Sequence, residues 1–394
     1  MTVTSLTDSL LLPETDEQRA LRDGVSSLAA SFGREYFQKA ASTGGFPHEM
    51  WRALGEAGYL GVHISEANGG GGGGLVDLAI VIEECAAHGC PMQMIVISPS
   101  IAGSIFDRHA SPELQAKWLP GIASGDLKVC FAITEPDAGT NTHRISTTAS
   151  PRPGGGWILK GSKYWTSGID ECDAVLVVAR DAQMSTPERS ALSLFVIPSD
   201  APGLSYSEID SALRAPERQF VTFYDDVEIE PEWLVGEQGK GLEQVFAGLN
   251  PERVAAAALA TGLGMYAIGR ASTYANQRVV WKVPIGAHQG LAHPLAKAYI
   301  DVQLARLMNF RAAAMFDAGL DSGEAANMAK LAAADASLLA LDQAMQVHGG
   351  NGLSNEYGLS DLWFTARMLK TAPVSREMVL NYVAQHSLGL PKSY

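Results

Sequence analysis

Long alanine-rich helical patterns near the C-terminal end constrain the fold of this 394-residue chain more than any other feature. Three of them cover about 238–276, 286–318 and 322–349, and a fourth lies near 374–388. Helices with so many alanines and so few charges expose little that water can solvate, so they have to be buried against each other. The pattern predicts a C-terminal four-helix bundle or the core of an oligomer.

The middle of the chain changes to strand-forming patterns. Short segments rich in β-branched and aromatic residues are divided by Pro, Gly and Asp, at spacings typical of a sandwich or barrel. They read GGWILKGSKYWTSG, DAVLVVAR, ALSLFVIP, GLSYSEI and QFVTFYDDVEI. We therefore expect a central β-barrel or β-sandwich domain.

The first part of the chain, from about residue 14 to 125, is again helical in pattern. The order α, then β, then α predicts an α+β multidomain protein. We expect an all-α N-terminal domain at 1–128, a central β domain at 129–237 and a C-terminal α-helical bundle at 238–394.

Two segments of the first part interrupt the helical pattern. Residues 1–13 read as a loose tail. The six glycines from Gly69 to Gly74 predict a flexible connection between helices, because a glycine run holds a single conformation only at a high entropic cost. A phosphate-binding loop is the alternative, but no Gly-Lys-Ser/Thr follows the run.

Composition and charge narrow the class of partner. Apolar residues make up 46% of the chain and charged residues 18%, which is typical of a well-buried globular enzyme. The net charge of −14 argues against a nucleic-acid or anionic-membrane partner. No zinc spacing and no disulfide framework links the cysteines, so we predict reduced core thiols and no metal site. The cysteines are Cys85, Cys90, Cys130 and Cys172.

The N-terminal segment, MTVTSLTDSLLLPETDEQ, lacks the basic start of a secretory signal and is not an Arg-rich transit peptide. No apolar run approaches the roughly 18 residues of a membrane span. These patterns predict a soluble cytoplasmic protein.

The stretch FAITEPDAGT, from Phe131 to Thr140, is the most informative local motif. Strand-forming residues run into Thr134 and Glu135, and the chain then breaks at a Pro-Asp-Ala-Gly-Thr turn. Such an end presents successive backbone N–H groups and two threonine hydroxyls, which suits a dinucleotide's diphosphate or the edge of a flavin ring. A plain surface turn is the alternative when the motif stands alone.

A second motif, KYWTSG, follows the strand-like WILKG. Trp165 offers a flat stacking face, and Thr166 and Ser167 offer hydroxyl donors. Flavins need such contacts, because the isoalloxazine is an aromatic plate whose N5 gains electron density during hydride transfer. A tryptophan of the buried core is the alternative.

At this point the chain resembles the acyl-CoA dehydrogenase family. Five motifs match in order and span nearly the whole sequence. They are FAITEPDAGT, LKGSKYWTSG, FYDDVEIEPEWLVGEQGKG, the pair Gln277-Arg278 with His288-Gln289, and QVHGGNGL. The resemblance implies the family's fold, an FAD cofactor and an acyl-CoA substrate.

The resemblance also implies the cofactor-binding residues. Those expected against the flavin and its diphosphate are Phe131, Ile133, Thr134, Gly139, Thr140, Trp165 and Ser167, with the Ser167 hydroxyl aimed at N5. Those expected to hold the diphosphate and adenosine are Arg278, Gln289, Gln346, Gly349 and Gly350. In the family this second set comes partly from a neighbouring subunit, which implies a homo-oligomer, and we expect a tetramer. From its chemistry alone, Arg278 suits a phosphate because a guanidinium binds it in a bidentate fashion; a surface cation at a helix end is the alternative.

Dehydrogenation between Cα and Cβ of a thioester needs a carboxylate base in a dry pocket that raises its pKa. Many family members carry this base in a Glu-Gly-Thr turn, but here Pro373 stands 27 residues after Gln346. A second branch of the family, with the isovaleryl-CoA and long-chain enzymes, carries a Glu before an Arg on the first long C-terminal helix. Glu252 stands there, 26 residues before Arg278, and is the predicted base.

Two alternatives remain for this assignment. Glu252 could be a first-turn glutamate favoured by the helix dipole or paired with an arginine, and Glu377 is the reserve candidate for the base. Pro373 raises a separate question, because the family's turn residue donates its backbone N–H to the thioester carbonyl and proline has none. Either Ala372 takes that place, or the donor comes from elsewhere, or the contact is weaker.

The remaining expectations concern the substrate. The resemblance places Thr140 near the thioester, and Asn250 with Arg253 near the entry of the CoA or pantetheine; a buried ion pair is the alternative for Arg253. We expect the apolar stretch from Met92 to Ser104 to shape the acyl pocket. A carrier-protein thioester is an alternative substrate.

The predicted function is FAD-dependent dehydrogenation of an acyl-CoA in fatty acid metabolism, with an electron-transferring flavoprotein as acceptor. The alternatives are an acyl-CoA oxidase or flavin monooxygenase of the same fold, or a catalytically silent protein that binds flavin or acyl-CoA.

Overall fold

The computed structural model describes residues 14–186 and 190–392. The predicted loose tail at 1–13 lies outside the described residues. In the described part of the chain, helices come before and after the strands of a central sheet. This order confirms the predicted fold class.

The N-terminal part is helical, as predicted, and local signals set its boundaries. Helix α1 begins after Thr15, whose side chain forms a reciprocal capping box with Gln18. The last helix of this part starts with Pro112 behind the N-cap Ser111. A π-helical stretch, Val96–Gly103, lies between α4 and α5. The helices are α1 Asp16–Thr43, α2 His48–Glu56, α3 Leu75–Ala87, α4 Gln93–Ile95, α5 Ser104–His109 and α6 Pro112–Ser124.

The glycine run from Gly69 to Gly74 does not form a flexible connection, so that prediction was wrong. Successive N–H groups of the run donate to carbonyl oxygens of residues 61–65, and the Gly74 N–H donates to Asp77 Oδ2 at 2.7 Å. A Cβ built on Gly70 would lie 2.1 Å from the Ile64 oxygen. The glycines are therefore needed for a close approach between backbones, and their hydrogen bonds offset the entropic cost of ordering the run.

The central part is one eight-stranded sheet, in which seven strands lie in the order β6-β7-β3-β2-β4-β5-β8 and the eighth, β1, pairs with β4. Strand β1 runs parallel to the first half of β4, with Phe131 opposite Leu176, and β2 runs parallel to the end of the same strand. The strands are β1 Val129–Ala132, β2 Thr148–Pro151, β3 Trp157–Ser167, β4 Ala174–Asp181, β5 Leu192–Pro198, β6 Leu204–Glu208, β7 Gln219–Ile229 and β8 Leu234–Val235.

The C-terminal part is built on three long helices and a short fourth helical segment, as the alanine-rich patterns predicted. A small hairpin separates the first two long helices. The bounds are α7 Gly241–Gln277, β9 Val279–Val280, β10 Val283–Pro284, α8 Gln289–Asp317, α9 Gly323–His348, α10 Trp363–Met368 and α11 Arg376–Tyr382, which continues into a π-helical turn at Val383–Ser387.

Helix α7 has the length and mean hydropathy of a membrane span, although its sequence did not stand out as one. Its most apolar window has a mean hydropathy of 1.3, and 94% of that window is buried inside the protein. Small residues explain the burial: a Cβ on Gly262 would lie 2.4 Å from the Glu83 oxygen of α3. α7 is therefore the central helix of the core, packed against the N-terminal and C-terminal parts.

A buried ionic cluster joins these two parts. Glu83 of α3 accepts from Arg22 of α1 at 3.0 Å and from Arg306 of α8 at 2.8 Å. The Thr261 hydroxyl of α7 donates to the other Glu83 oxygen at 2.9 Å. Four helices thus meet at one carboxylate. Because breaking a buried pair leaves an uncompensated charge, this cluster specifies how α1 and α3 sit on the bundle.

Candidate active site

The two sequence motifs of the sheet meet in space. Strand β1 ends at Ala132, and the Tyr164 N–H of β3 donates to the Thr134 carbonyl at 2.8 Å. Beside this junction Trp165 has a φ of 61°, which is uncommon for a bulky residue, and its side chain is 46% exposed. The backbone therefore holds a large apolar face out of the core, in a geometry that marks functional sites.

Glu135 braces the turn and is not available as a base. Its carboxylate accepts from the N–H groups of Ser146 and Thr147 at 2.7 and 2.9 Å. Burial alone would raise the pKa of Glu135, but the charge and hydrogen bond of Lys163 and the other donors outweigh it and lower the pKa to about 2.

The hydroxyls of the first set differ in their availability. Ser167 Oγ donates to Gln219 Oε1 at 2.9 Å, so reaching a flavin N5 requires release from Gln219. Among the described residues, the side-chain hydroxyls of Thr134 and Thr140 have no hydrogen-bond partner. Thr140 is exposed and Thr134 partly so, which leaves both open to a ligand.

The second set gathers at one end of the bundle. Arg278 follows the last residue of α7, Gln289 begins α8, and Gly349 follows the last residue of α9. Tyr274 stacks on His348 with ring centroids 4.2 Å apart, which joins the ends of α7 and α9. His348 is thus a packing residue.

All five members of this second set, Arg278, Gln289, Gln346, Gly349 and Gly350, are exposed. No described residue pairs with the Arg278 guanidinium, and a Cβ on Gly349 or Gly350 would meet nothing within 4 Å. No hydrogen bond, ion pair or ring contact among the described residues joins this set to the flavin-ring set. Within the described part of the chain, the two groups are therefore not linked directly to each other.

Glu252 is the twelfth residue of α7, directly after Pro251 inside the helix, so the alternative of a first-turn glutamate was wrong. No described residue donates a hydrogen bond to its carboxylate or forms an ion pair with it. The residue keeps a partly exposed surface although protein surrounds it, which is the combination expected of a group that lines a cavity. Burial raises the pKa of Glu252 to about 7, and the charges of Arg253 and Lys330 oppose the rise. A carboxyl with this pKa can take up a proton near neutrality.

Arg253 turns away from an ion pair with its neighbour. Its Nη1 donates to Asn250 Oδ1 at 2.5 Å, and its Nε has no partner among the described residues. Burial lowers the pKa of Arg253, while Glu252 raises it. The structure thus brings together Asn250, Glu252 and Arg253 on one helical turn and leaves donor capacity free on Arg253.

The turn after α10 has no free backbone N–H at Ala372 or Pro373, the two positions considered for the donor to the thioester carbonyl. The Ala372 N–H already donates to the Met368 oxygen at 2.9 Å, and Pro373 has none. The Val374 carbonyl accepts a hydrogen bond from the Lys330 ammonium. Glu377, the reserve candidate for the base, is exposed at the start of α11. A carboxylate surrounded by water lacks the dry pocket that the base needs, so the geometry favours Glu252.

Sequence reasoning missed three residues of this site: Lys163, Gln219 and Lys330. The signal for Lys330 was a lone lysine within the apolar pattern AANMAKLAAADA, and the other two had no local signal.

Comparison with known proteins matches the chain to three family models that together cover most of it. The acyl-CoA dehydrogenase N-terminal domain matches residues 15–126, the middle domain residues 130–223 and the C-terminal domain residues 239–388.

Relatives and solved structures agree with these matches. Acyl-CoA dehydrogenase FadE12 of Mycobacterium tuberculosis (strain ATCC 25618 / H37Rv) is 51% identical over 391 residues, which cover 99% of this chain and 100% of that protein. The structure of a glutaryl-coenzyme A dehydrogenase in complex with glutaryl-CoA has a TM-score of 0.92 at 28% identity, covering 98% of each chain. PigA with FAD and proline has a TM-score of 0.90 at 22% identity, covering 97% of this chain and 100% of that chain, which is a likeness of fold.

The residues present fit FAD. An exposed indole and open hydroxyls suit the ring and its edge, while an unpaired guanidinium and uncovered glycines suit a diphosphate. The matched domains, the relatives and this donor set lead to one conclusion. The chain belongs to the acyl-CoA dehydrogenase family and is an FAD-dependent oxidoreductase that acts on acyl-CoA.

Proposed function

We propose that this protein converts an acyl-CoA to the trans-2-enoyl-CoA with Glu252 as the base that removes the α-proton. The observation that carries the proposal is the state of the Glu252 carboxylate. It has no partner among the described residues, keeps a partly exposed surface and has a pKa raised to about 7 by burial. A base must be unpaired and poised near the working pH, and Glu252 meets both conditions.

The other residues orient the substrate and the cofactor. FAD, when bound, accepts the β-hydride. Trp165 provides a stacking face and Ser167 a hydroxyl beside it, and Thr140 contributes an unpaired hydroxyl near the thioester. Asn250 and Arg253 interact with the pantetheine or CoA at the entry, since the free Nε of Arg253 can still donate.

We further propose that two copies of the chain complete each FAD site, within a homotetramer. The diphosphate set is exposed, and among the described residues it has no direct hydrogen bond, ion pair or ring contact to the ring set. The hairpin beside it carries Trp281, 85% exposed, and α8 presents an apolar stripe of Ile300, Leu304 and Leu307 that is 51, 60 and 41% exposed. An apolar stripe at helical spacing on a bundle suits burial against a second copy.

The acyl group and the acceptor follow from the same site. The stretch from Met92 to Ser104 is almost wholly buried and holds no lysine or arginine. An apolar acyl chain therefore suits this protein better than one ending in a carboxylate, such as the glutaryl group bound to the similar glutaryl-coenzyme A dehydrogenase. We propose an electron-transferring flavoprotein as the acceptor.

Anaerobic bleaching of bound FAD by a panel of acyl-CoAs tests the proposed function. We expect straight or branched apolar acyl-CoAs to bleach the wild type, and Glu252→Gln to slow bleaching by about 10²–10⁴-fold. Glu377→Gln is the matched control and keeps the wild-type rate, because that carboxylate is exposed.

Three results contradict the proposal. Full turnover in Glu252→Gln rules out Glu252 as the base. Rapid peroxide formation in air without an added acceptor favours the oxidase alternative, and bleaching by no acyl-CoA at all favours the silent one.

A further inference from the structure

Lys330 is a buried lysine within the apolar face of α9. Its side chain is among the largest that are fully buried, with 2% relative exposure. The ammonium donates one hydrogen bond, to the Val374 carbonyl, and forms no ion pair with any described carboxylate. Burying an ammonium costs free energy unless a nearby negative charge compensates it. One hydrogen bond to a carbonyl does not provide that charge.

The charged groups that face Lys330 come from three helices. They are Glu252 and Arg253 of α7, Asp335 of α9 itself and Glu377 of α11. Asp335 is already paired with Lys370 at 2.7 Å and Arg376 at 2.6 Å. Glu377 is exposed and therefore screened by solvent.

Of these three carboxylates, Glu252 is the one left to compensate the charge of Lys330. It has no partner of its own among the described residues, and Arg253, its other cationic neighbour, uses its Nη1 on Asn250. Burial lowers the pKa of Lys330, and of the surrounding carboxylates Glu252 opposes this most. A buried ammonium on α9 thus stands near a carboxylate on α7 that has no hydrogen-bond or ion-pair partner among the described residues.

We propose that Lys330 is a positioning residue for the dehydrogenation: one buried ammonium provides the counter-charge of ionised Glu252 and holds the turn at 372–375 through the Val374 carbonyl. The proposal rests on Glu252 being the base. When Glu252 takes up the α-proton its charge is lost, and the bond from Lys330 to Val374 keeps the turn in place.

The contact of Lys330 with the turn at 372–375 matters because Pro373 has no backbone N–H to donate. The Ala372 N–H is in use, and the next N–H along the chain, that of Val374, has no partner among the described residues. Because Lys330 holds Val374 by its carbonyl, it keeps an open backbone donor in a fixed place directly after Pro373.

A double-mutant cycle tests the pairing without any activity measurement. The FAD-loaded wild type, Lys330→Met, Glu252→Gln and the double variant are unfolded thermally at pH 5.5 and pH 7.5. At pH 7.5 we expect the double variant to be more stable than the sum of the single losses by about 2 °C or more in Tm. At pH 5.5 Glu252 is protonated, and the losses should add. Additive losses at both pH values, or equal coupling at both, would overturn the proposal.

The pH profile of FAD bleaching gives the second readout. Lys330→Met removes a cation near Glu252, so the midpoint of the profile should move upward by about one pH unit. Lys330→Arg keeps the positive charge, so its midpoint should stay at the wild-type pH. Lys330→Gln keeps a donor for the Val374 carbonyl but loses the charge, so its midpoint should move upward as in Lys330→Met. Lys370→Met is the matched control, because Lys370 pairs with Asp335 and is not a charged neighbour of Glu252.

The outcomes separate this proposal from the proposed function. A lower Tm or FAD content in Lys330→Met with an unmoved midpoint would mean that Lys330 is merely structural. If no acyl-CoA bleaches the wild type, the proposed function fails, while the unfolding cycle still decides whether Lys330 pairs with Glu252.

Discussion

Lys163 and Glu135 form a buried ion pair in which Nζ and Oε1 lie 2.8 Å apart. Lys163 belongs to the KYWTSG motif and Glu135 to FAITEPDAGT, so this pair joins the two segments that we propose to contact the flavin. The Lys163 ammonium also donates to the Ile133 carbonyl at 3.1 Å. The relative position of the two motifs therefore depends on a charge pair inside the sheet and not on either motif alone.

Replacing Lys163 by Met should destabilise the protein strongly. The change leaves the Glu135 carboxylate buried without its counter-charge, which costs about 3–5 kcal/mol of unfolding free energy. FAD retention should fall as well, because the two flavin-binding segments lose their connection. Urea unfolding and the FAD content of the purified variant measure both effects.

Lys160→Met is the matched control on the same strand. Lys160 pairs with Asp226 at 2.8 Å, but both side chains are mostly exposed, so unfolding and FAD content should stay as in the wild type. Equal losses in the two variants would mean that the burial of the Lys163 pair has no special role.

The rate of FAD bleaching should rise with pH through about 7. Glu252 has to be ionised to accept the α-proton, and burial raises its pKa to about 7. Rapid-mixing measurements of bleaching by one acyl-CoA between pH 5.5 and 8.5 test this. A rate that is flat over this range would show that the titrating base is not Glu252.

The same group should make stability depend on pH. The folded-state pKa of Glu252 lies above its ordinary value of 4.5, so the protonated form is favoured by folding. Its contribution is fully present below pH 4.5 and is lost as pH rises through about 7, by up to roughly 3 kcal/mol. Relative to Glu252→Gln, the wild type should therefore lose stability over this window. A constant difference in unfolding free energy between the two proteins would contradict the raised pKa.

Replacing Arg278 by Ala should weaken FAD binding. An exposed guanidinium without a partner beside two uncovered glycines suits a charge-assisted bond to a phosphate, which contributes about 1.5–3 kcal/mol. The Kd for FAD, titrated against the FAD-free protein, should rise about 10- to 100-fold, and less so at high salt. Arg52→Ala, an exposed arginine on α2, serves as the control and should bind FAD like the wild type.

Gly262→Ala should destabilise the protein, whereas Gly290→Ala should not. The added methyl at Gly262 would lie 2.4 Å from the Glu83 oxygen and 2.6 Å from the Ala86 Cβ, so α3 and α7 have to separate. Such overpacking costs about 1–3 kcal/mol. Gly290, in the first turn of α8, has nothing within 4 Å of the added methyl, and the helix propensity of alanine should stabilise it slightly. Thermal unfolding compares the two variants directly.

Patterns within single segments predicted most of the fold. The alanine-rich periodicity predicted long helices that the structure shows at Gly241–Gln277, Gln289–Asp317 and Gly323–His348. Alternating strand-forming residues predicted the central sheet, and the Thr134-to-Thr140 turn predicted a site with open hydroxyls. These features are local, since backbone propensity and burial pattern act over a few consecutive residues.

The same local reasoning failed where a segment's behaviour depends on distant residues. The run from Gly69 to Gly74 reads as flexible by composition, yet carbonyls of residues 61–65 order it. Likewise, nothing near Pro373 in the chain indicates that the Ala372 N–H is in use or that Lys330, more than 40 residues away, holds Val374.

The sequence by itself therefore determined the order of helical and strand-forming parts, the family and the identity of the flavin-binding and base candidates. Only the tertiary structure decided which of their polar atoms are free. Glu252 is unpartnered, Glu135 is held by Lys163, and Ser167 is held by Gln219. The physical reason is that burial and pairing, which set the pKa and the availability of a polar group, arise from contacts between residues far apart in the chain.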